Sequence, residues 1–134
     1  MKHQKKIWVL AFMIAAILTF TACGLGRLPE GFQRDEVETA ARSVVELLNR
    51  RDKAALRDLC TPRMKEVMTE KLYGKLFDGL EELGEYKEIT GIILQGTTED
   101  RTGEPIAVAV VQAYYEERDV IFTISFDAEL KLAG

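Results

Sequence analysis

The feature that most constrains the fold of this chain is a change in its hydrophobic pattern at Gly84. Between Asp35 and Gly84, apolar residues recur every three or four positions, as they do on one side of an amphipathic helix. Beyond Gly84 they alternate with polar residues, which is the pattern of a strand with one buried face. Helices followed by a run of strands pack on one face of an antiparallel sheet. The sequence therefore predicts a single α+β domain over residues 35–134.

The helical part divides into four stretches with recognisable ends. Asp35, Asp52 and Thr61 are each placed to cap the start of a helix. Pro62 follows at a first helical position, where its missing N–H costs nothing, and Gly84 is placed to end the fourth helix. The residues expected on the core sides of the third and fourth helices are Met64, Val67, Met68, Leu72, Leu76, Leu80 and Leu83.

The remaining part predicts an antiparallel sheet of three to four strands joined by charged or glycine-containing turns. Gly91 and Gly96 are expected to mark bulges or bends within the first strand. The predicted strands are Tyr86–Thr98, Pro105–Tyr115, Val120–Phe126 and a short last one, Leu130–Ala133.

Both faces of the predicted second strand are largely apolar, which is unusual for an antiparallel strand with one face in water. One explanation is a central strand whose outer face is covered by local side chains. Another is that the outer face meets a partner or a second copy of the chain, forming a homodimer. Small residues in the sheet also leave room for a pocket rimmed by Tyr115. These small residues are Ala107, Ala109, Ala113, Thr123 and Ser125.

The beginning of the chain has the composition of an export signal. Lys2, Lys5 and Lys6 precede the apolar run Ile7–Phe20, and no acidic residue occurs before Cys23. The run is shorter than the ~20 apolar residues that a spanning helix needs, so it suits a signal-peptide core better than a permanent anchor. Cleavage with free release and an uncleaved short anchor remain as alternatives.

The residues Thr21-Ala22-Cys23 resemble the lipobox of bacterial lipoproteins, although Phe20 stands where that motif usually has leucine. The resemblance implies cleavage before Cys23, a diacylglyceryl group on its sulfur and often a further acyl chain on its amino group. Two or more acyl chains give a stable anchor. We therefore expect a lipoprotein signal peptide over residues 1–22 and a lipidated cysteine with a flexible tether over residues 23–34. The lipid would hold the protein on the extracytoplasmic side of the cell membrane.

The composition argues against several classes of function. Removal of Lys2, Lys5 and Lys6 with the signal takes the net charge from −4 to −7, which is unfavourable for binding nucleic acid. The single histidine, His3, lies in the same segment, so the mature chain has no histidine to act as a base or a zinc ligand. Cys60 is then a lone thiol, expected as a small buried hydrophobe. We predict no catalytic residue, no metal and no cofactor.

Four segments carry a resemblance to a known family. They are Leu47-Leu48-Asn49-Arg50-Arg51-Asp52, Thr61-Pro62, Leu83-Gly84-Glu85-Tyr86-Lys87-Glu88-Ile89 and Phe126-Asp127-Ala128-Glu129-Leu130-Lys131-Leu132-Ala133-Gly134. In this order they are similar to the bacterial domain-of-unknown-function family 3887. The resemblance implies a cone-shaped, nuclear-transport-factor-like fold, in which a curved sheet wraps a long helix and can leave a pocket. The family has no established activity, so no catalytic residue is transferred.

These observations favour a non-enzymatic lipoprotein whose domain binds a small ligand or an envelope protein, anchored to membrane lipid through Cys23. One alternative is a small cone-fold enzyme of the isomerase or hydrolase type, using Asp58 or Asp127 as a base in an apolar pocket. Such an enzyme requires a buried carboxylate. A second alternative is a structural or assembly factor that acts through its sheet face.

Overall fold

The structure is a computed structural model that describes residues 27–134, and it confirms the α+β fold. The predicted signal peptide and Cys23 lie outside the described residues. Within residues 27–134, no helix combines the length and the apolar character needed to cross a membrane. The elements, in chain order, are α1 (Arg34–Asn49), α2 (Lys53–Leu59), α3 (Pro62–Val67), α4 (Glu70–Glu82), β1 (Tyr86–Thr98), β2 (Pro105–Tyr115) and β3 (Asp119–Phe126).

Two of the three predicted helix caps are present. The Asp52 carboxylate accepts a hydrogen bond from the backbone N–H of Ala55 at 3.1 Å, and the Thr61 hydroxyl accepts one from Met64 at 3.1 Å. The prediction for Asp35 is wrong, because the helix cap lies two residues earlier, at Gln33, which makes no side-chain hydrogen bond there. Asp35 lies instead in the first turn, where a negative charge interacts favourably with the helix dipole.

The buried side of α4 differs from the predicted leucine stripe. Leu72 is 39% exposed, whereas its neighbour Tyr73 is buried together with Leu80. In α3, Val67 is 51% exposed, contrary to the prediction that it faces the core. Tyr73 and Leu76 share the same helical spacing as the predicted stripe, and the large ring buries more apolar area than a leucine does.

The three strands form one antiparallel sheet in the order β1-β2-β3. At its centre, Leu94, Ala109 and Ile124 lie side by side across the strands. The pairing of β1 shifts register between Ile89 and Gly91, so Gly91 lies at a bulge as predicted. Gly96 pairs regularly with its partner on β2, and the predicted bulge there is wrong.

Gly96 serves a different purpose, because the start of the described chain passes directly over it. A Cβ atom at this position would lie 2.4 Å from the Arg27 carbonyl oxygen and 2.7 Å from the Pro29 Cδ atom. Leu28 and Phe32 in the same segment pack against the core. The part of the predicted tether from residue 27 onwards therefore lies on the domain.

The core is built where α1 lies against the inner face of the sheet. That face of β2 carries residues that are fully or almost fully buried: Ala107, Ala109, Val111, Ala113 and Tyr115. The small alanine side chains allow the helix to approach the strands closely. The helix contributes Val37, Ala41, Val44, Val45 and Leu48 to the same core.

The segment after β3 is not a strand, contrary to the prediction for Leu130–Ala133. Leu130 has a positive φ of 60°, which interrupts any extended run. Only Leu132 forms isolated bridges, one to Cys60 and one to Phe126. The Leu132 N–H donates to the Leu59 carbonyl at 2.8 Å, so this segment joins the end of α2 to the edge of the sheet.

Candidate functional site

A cavity of about 240 Å³ lies between the helices and β3, partly open to solvent. Its wall is almost entirely apolar. The lining residues are Val44, Leu48, Leu56, Cys60, Met64, Met68, Tyr73, Leu76, Phe122, Thr123, Ile124, Leu132 and Gly134.

Short helices and tight caps produce this cavity. The capped turns at Asp52 and Thr61 bend the chain twice within a few residues, so α2, α3 and α4 surround a space instead of stacking along one axis. The six-residue helix α3 buries no side chain completely. Met64 in this helix and Met68 just after it have flexible side chains that are only half-buried, which leaves the space unfilled.

Tyr73 provides the unusual polar group of the cavity. Its side chain is only 2% exposed, and its hydroxyl has no hydrogen-bond partner within residues 27–134 by distance and angle. The Cys60 thiol lies beside this hydroxyl. Burial and then the contact with this thiol raise the pKa of Tyr73, but the two groups do not have the geometry of a directed hydrogen bond. The thiol itself donates to the Leu56 carbonyl at 3.2 Å. The Tyr73 hydroxyl is therefore buried behind the cavity wall, without a well-directed hydrogen bond.

The two titratable side chains of the cavity wall, Cys60 and Tyr73, are neutral at physiological pH. Burial raises the pKa of the Cys60 thiol above its ordinary value of 9.0, against smaller opposing effects of Tyr73, Lys65 and Arg57. Burial likewise raises the pKa of Tyr73. No lining residue has an ionised side chain at pH 7.

The residues predicted for a pocket or interface separate into different places. Ala109 and Ala113 are fully buried beneath α1 and do not line the cavity. Tyr115 is also in the core, where its hydroxyl donates to the Asn49 Oδ1 atom at 2.6 Å. Of the predicted set, Thr123 alone lines the cavity. Ser125 lies on the same strand and exchanges backbone hydrogen bonds with the C-terminal residues.

The outer face of the sheet carries exposed apolar side chains. Ile121 is 66% exposed and Ile93 is 53% exposed, and Tyr114 is exposed on the same face. Val110, between them on the central strand, is half-buried. Local side chains therefore cover this face only in part.

The carboxylates of residues 27–134 all have access to solvent, since none of them is buried. Asp58 is exposed on α2, and the Asp127 carboxylate accepts backbone hydrogen bonds from Glu129 and Lys131 in a turn. Neither residue lines the cavity. Within this range no three acidic, cysteine or histidine side chains come together as metal ligands. The described residues thus offer no buried carboxylate to act as a base.

Comparison with known proteins identifies relatives of the domain. The sequence matches the family model described as "Protein of unknown function (DUF3887)" over residues 41–134. The fold is similar to an NMR structure of a protein from Ruminococcus gnavus ATCC 29149, with a TM-score of 0.71 and 25% sequence identity. The similarity covers 82% of this chain and 95% of that chain. No curated protein matches the sequence.

Proposed function

Because the chain belongs to the DUF3887 family of proteins of unknown function, as its sequence predicts, we propose a function from the geometry of its cavity. The protein is a membrane-anchored extracytoplasmic lipoprotein whose domain binds a small apolar ligand without transforming it. The observation that carries this proposal is the apolar cavity of about 240 Å³ between the helices and β3.

The nature of the wall supports binding. Ligand sites are concave and mostly apolar with a few polar groups, and this cavity has an almost entirely apolar wall with Thr123 as a polar lining residue. Water is poorly held there because few polar partners are available to it. A ligand that replaces water in such a space gains contacts with the lining side chains.

The beginning of the sequence supports the location. The basic start, the short apolar run and Thr21-Ala22-Cys23 have the order of a lipoprotein signal. A lipid on Cys23 would leave only a few residues before Arg27, where the chain reaches the domain. The domain, and its cavity with it, would then lie close to the membrane surface.

A pair of tryptophan variants on α4 tests the binding proposal. Leu76→Trp adds bulk inside the cavity, whereas Leu72→Trp adds the same bulk at an exposed position outside it. We expect mass spectrometry of solvent extracts to find a small apolar compound with the wild-type protein and with Leu72→Trp purified from membranes. The Leu76→Trp protein should lack it. Absence of any such compound from all three proteins contradicts the proposal.

The anchor is tested separately by intact mass spectrometry of the protein from bacterial membranes. We expect the chain to begin at Cys23 and to carry the mass of a diacylglyceryl group, with or without a further acyl chain. A Cys23→Ala variant should lose this mass. An unacylated wild-type chain that still begins at Met1 contradicts the lipoprotein assignment.

A second candidate function is assembly through the outer face of the sheet, favoured by the exposure of Ile93, Tyr114 and Ile121. In this case two copies would pair through that face. Sedimentation of the chain from residue 23 onwards is expected to give a dimer that Ile121→Glu weakens. Val67→Glu, at an exposed apolar position on α3, should leave it intact. A monomer at all concentrations excludes this candidate.

A further inference from the structure

The outer edge of β3 is open over part of its length. β3 is the last strand of the sheet, and within residues 27–134 it pairs only with β2 and, at its end, with the C-terminal residues. The Ser125 N–H donates to the Gly134 carbonyl at 2.8 Å, and the Ala133 N–H donates to the Ser125 carbonyl at 2.8 Å. The C-terminal residues therefore cover the edge at Ser125 and leave the preceding part of the strand uncovered.

The alternation of the strand shows which backbone groups are free. Successive residues of an antiparallel strand direct their N–H and C=O groups to opposite edges. Those of Ser125 point away from β2, so those of Thr123 and Ile121 point the same way. No backbone partner for these two residues occurs on that side within residues 27–134. Each of them therefore offers one donor and one acceptor to an added strand.

The cavity lies directly beside this free edge. Its wall includes Phe122, Thr123 and Ile124 of β3, and also Leu132 and Gly134 of the segment that already pairs with the strand. Thr123 is exposed, so the cavity reaches the surface at the edge of the sheet. The free backbone groups and the mouth of the cavity are therefore neighbours.

An added strand would direct alternate side chains towards the cavity. The side chain of Phe122 lies on the helix side of the sheet, since it pairs with the buried Val111. A residue opposite Phe122 places its side chain on the same side, whereas its two neighbours point to the outer face. Leu132 shows this arrangement within the chain, because it pairs with Phe126 and lines the cavity.

Volume and charge define the segment that fits this edge. An apolar cavity of ~150 Å³ holds a benzene molecule, so the cavity of about 240 Å³ has room for one phenylalanine or leucine side chain. The hairpin 116–119 before β3 has three acidic residues and one basic residue, and the turn 127–131 after it has two acidic residues and one basic residue. Basic residues on either side of the apolar side chain therefore complement the charge at both ends of the strand.

We propose that the free edge of β3 and the cavity together dock an extended peptide segment of another protein, with one bulky apolar side chain in the cavity and basic residues on either side of it. The segment adds a strand to the sheet beside Ile121 and Thr123. Main-chain hydrogen bonds hold it, and the cavity selects its apolar side chain. This inference rests on the proposed binding of apolar groups in the cavity, and it adds a polypeptide partner.

A short acetylated and amidated peptide tests the docking on the chain from residue 23 onwards, with Cys23→Ser in place of the lipidated residue. The peptide has a phenylalanine between two valines and a lysine at each end. NMR titration gives its dissociation constant and those of three derivatives. One has alanine in place of phenylalanine, and the other two carry a methyl group on the nitrogen of one valine or of the phenylalanine.

The derivatives separate the backbone pairing from the insertion of the side chain. With the phenylalanine opposite Phe122, the valine N–H groups point to β3 and the phenylalanine N–H points away. Methylation of the valine nitrogen should therefore weaken binding about fivefold or more, because one hydrogen bond is lost, and methylation of the phenylalanine nitrogen should leave it unchanged. The alanine peptide should bind about tenfold more weakly or less tightly still.

Matched proline variants locate the edge. Thr123→Pro removes the free N–H and keeps the pairing with β2, as proline does on an edge strand. Thr98→Pro makes the same change at an exposed residue of β1, whose N–H points away from β2 because the next residue, Glu99, donates to Glu104. We expect about fivefold weaker peptide binding for Thr123→Pro and no change for Thr98→Pro.

The small apolar compound 2-octanone has no peptide backbone and reports on the cavity alone. It should compete with the peptide and bind equally to the wild-type protein and to Thr123→Pro, which also reports that this variant is folded. The methylated peptides are compared on the wild-type protein, so their result decides the case even if a proline variant does not fold.

The outcomes distinguish the two proposals. If the ketone binds and the peptide does not, or if both methylated peptides bind equally, docking at the edge is overturned and binding in the cavity stands. An alanine peptide that binds as tightly as the original overturns the insertion of the side chain. If neither the ketone nor the peptide binds, the proposed function fails as well.

Discussion

Tyr73 and Tyr115 are both buried, but within the described residues only the hydroxyl of Tyr115 has a partner. That hydroxyl donates to Asn49 at the end of α1, and the Asn49 amide in turn donates to the Val45 carbonyl at 2.9 Å. The bond joins the last turn of the central helix to the end of β2. The same residue type therefore joins two elements by a hydrogen bond at one position and lacks a well-directed hydrogen bond at the other.

The same substitution at the two tyrosines should have opposite effects on stability. Tyr115→Phe leaves the Asn49 oxygen without its donor and should lower the free energy of unfolding by about 1 kcal/mol. Tyr73→Phe removes an unpaired hydroxyl and should leave that free energy unchanged or raise it by up to ~1 kcal/mol. Urea unfolding of the two variants measures both effects. Equal destabilisation would mean that the Tyr73 hydroxyl has a partner within the fold.

The raised pKa values of three buried groups predict a loss of stability at high pH. Burial is the main cause for Cys60, Tyr73 and Tyr115, whose ordinary pKa values are 9.0 for the thiol and 10.0 for the phenols. Each group ionises first in the unfolded chain, so its contribution is complete below that ordinary value. It is then lost as the pH rises towards the pKa of the folded state.

Urea unfolding between pH 7 and pH 11 measures this loss. The wild-type free energy of unfolding should decline above about pH 9, and the double variant Tyr73→Phe/Tyr115→Phe should decline less steeply. The comparison cancels the effects of lysines and exposed tyrosines, which both proteins share. Parallel curves for the two proteins would refute the prediction.

At the scale of the elements, the close passage of residues 27–29 over β1 predicts an unequal effect of two glycine substitutions. Gly96→Ala places a methyl group against the Arg27 carbonyl and Pro29, and should lower the free energy of unfolding by about 1–3 kcal/mol. Gly91 lies on the same strand, but a Cβ atom added there would meet no neighbouring atom within 4 Å. Urea unfolding should give a clearly lower free energy of unfolding for Gly96→Ala than for Gly91→Ala. Similar values for the two variants would show that residues 27–29 can move away from the added methyl group without loss of stability.

The positions of the helices and strands could be predicted from the sequence because local signals determine them. The helix ends show this. Asp52 and Thr61 have side chains that can cap the start of a helix, and Gly84 adopts the positive φ that ends one. The errors arise where local signals compete. Asp35 and Gln33 are separated by a single residue, so either could have capped α1. The pattern of Leu130–Ala133 resembles a strand, but Leu130 at its start has a positive φ.

The candidate site could not be predicted in the same way. The small residues Ala109 and Ala113 indicated space beside the sheet, but α1 occupies that space. The cavity arises where all four helices meet β3, so its shape depends on how separate elements pack together. A usable signal was present in Tyr73, a residue with a hydroxyl at helical spacing from Leu76 and Leu80.

At the scale of the whole molecule, the described fold places its two apolar features on opposite sides of the sheet. The cavity lies on the side of the helices, and the exposed patch that includes Ile93 and Ile121 lies on the outer face. Binding in the cavity and pairing through the patch therefore do not compete for the same surface. A lipid on Cys23 would hold both close to the membrane.

The methionine methyl groups provide the most direct test of the cavity as a ligand site. Met64 and Met68 are the only methionines between Cys23 and Gly134, and both line the cavity. Carbon-13 labelling of these methyl groups therefore places NMR probes at the proposed site. On titration with 2-octanone, we predict that both signals shift to saturation in the wild-type protein and in Leu72→Trp, but not in Leu76→Trp. Signals that stay unchanged in the wild-type protein at saturating ketone would contradict the account.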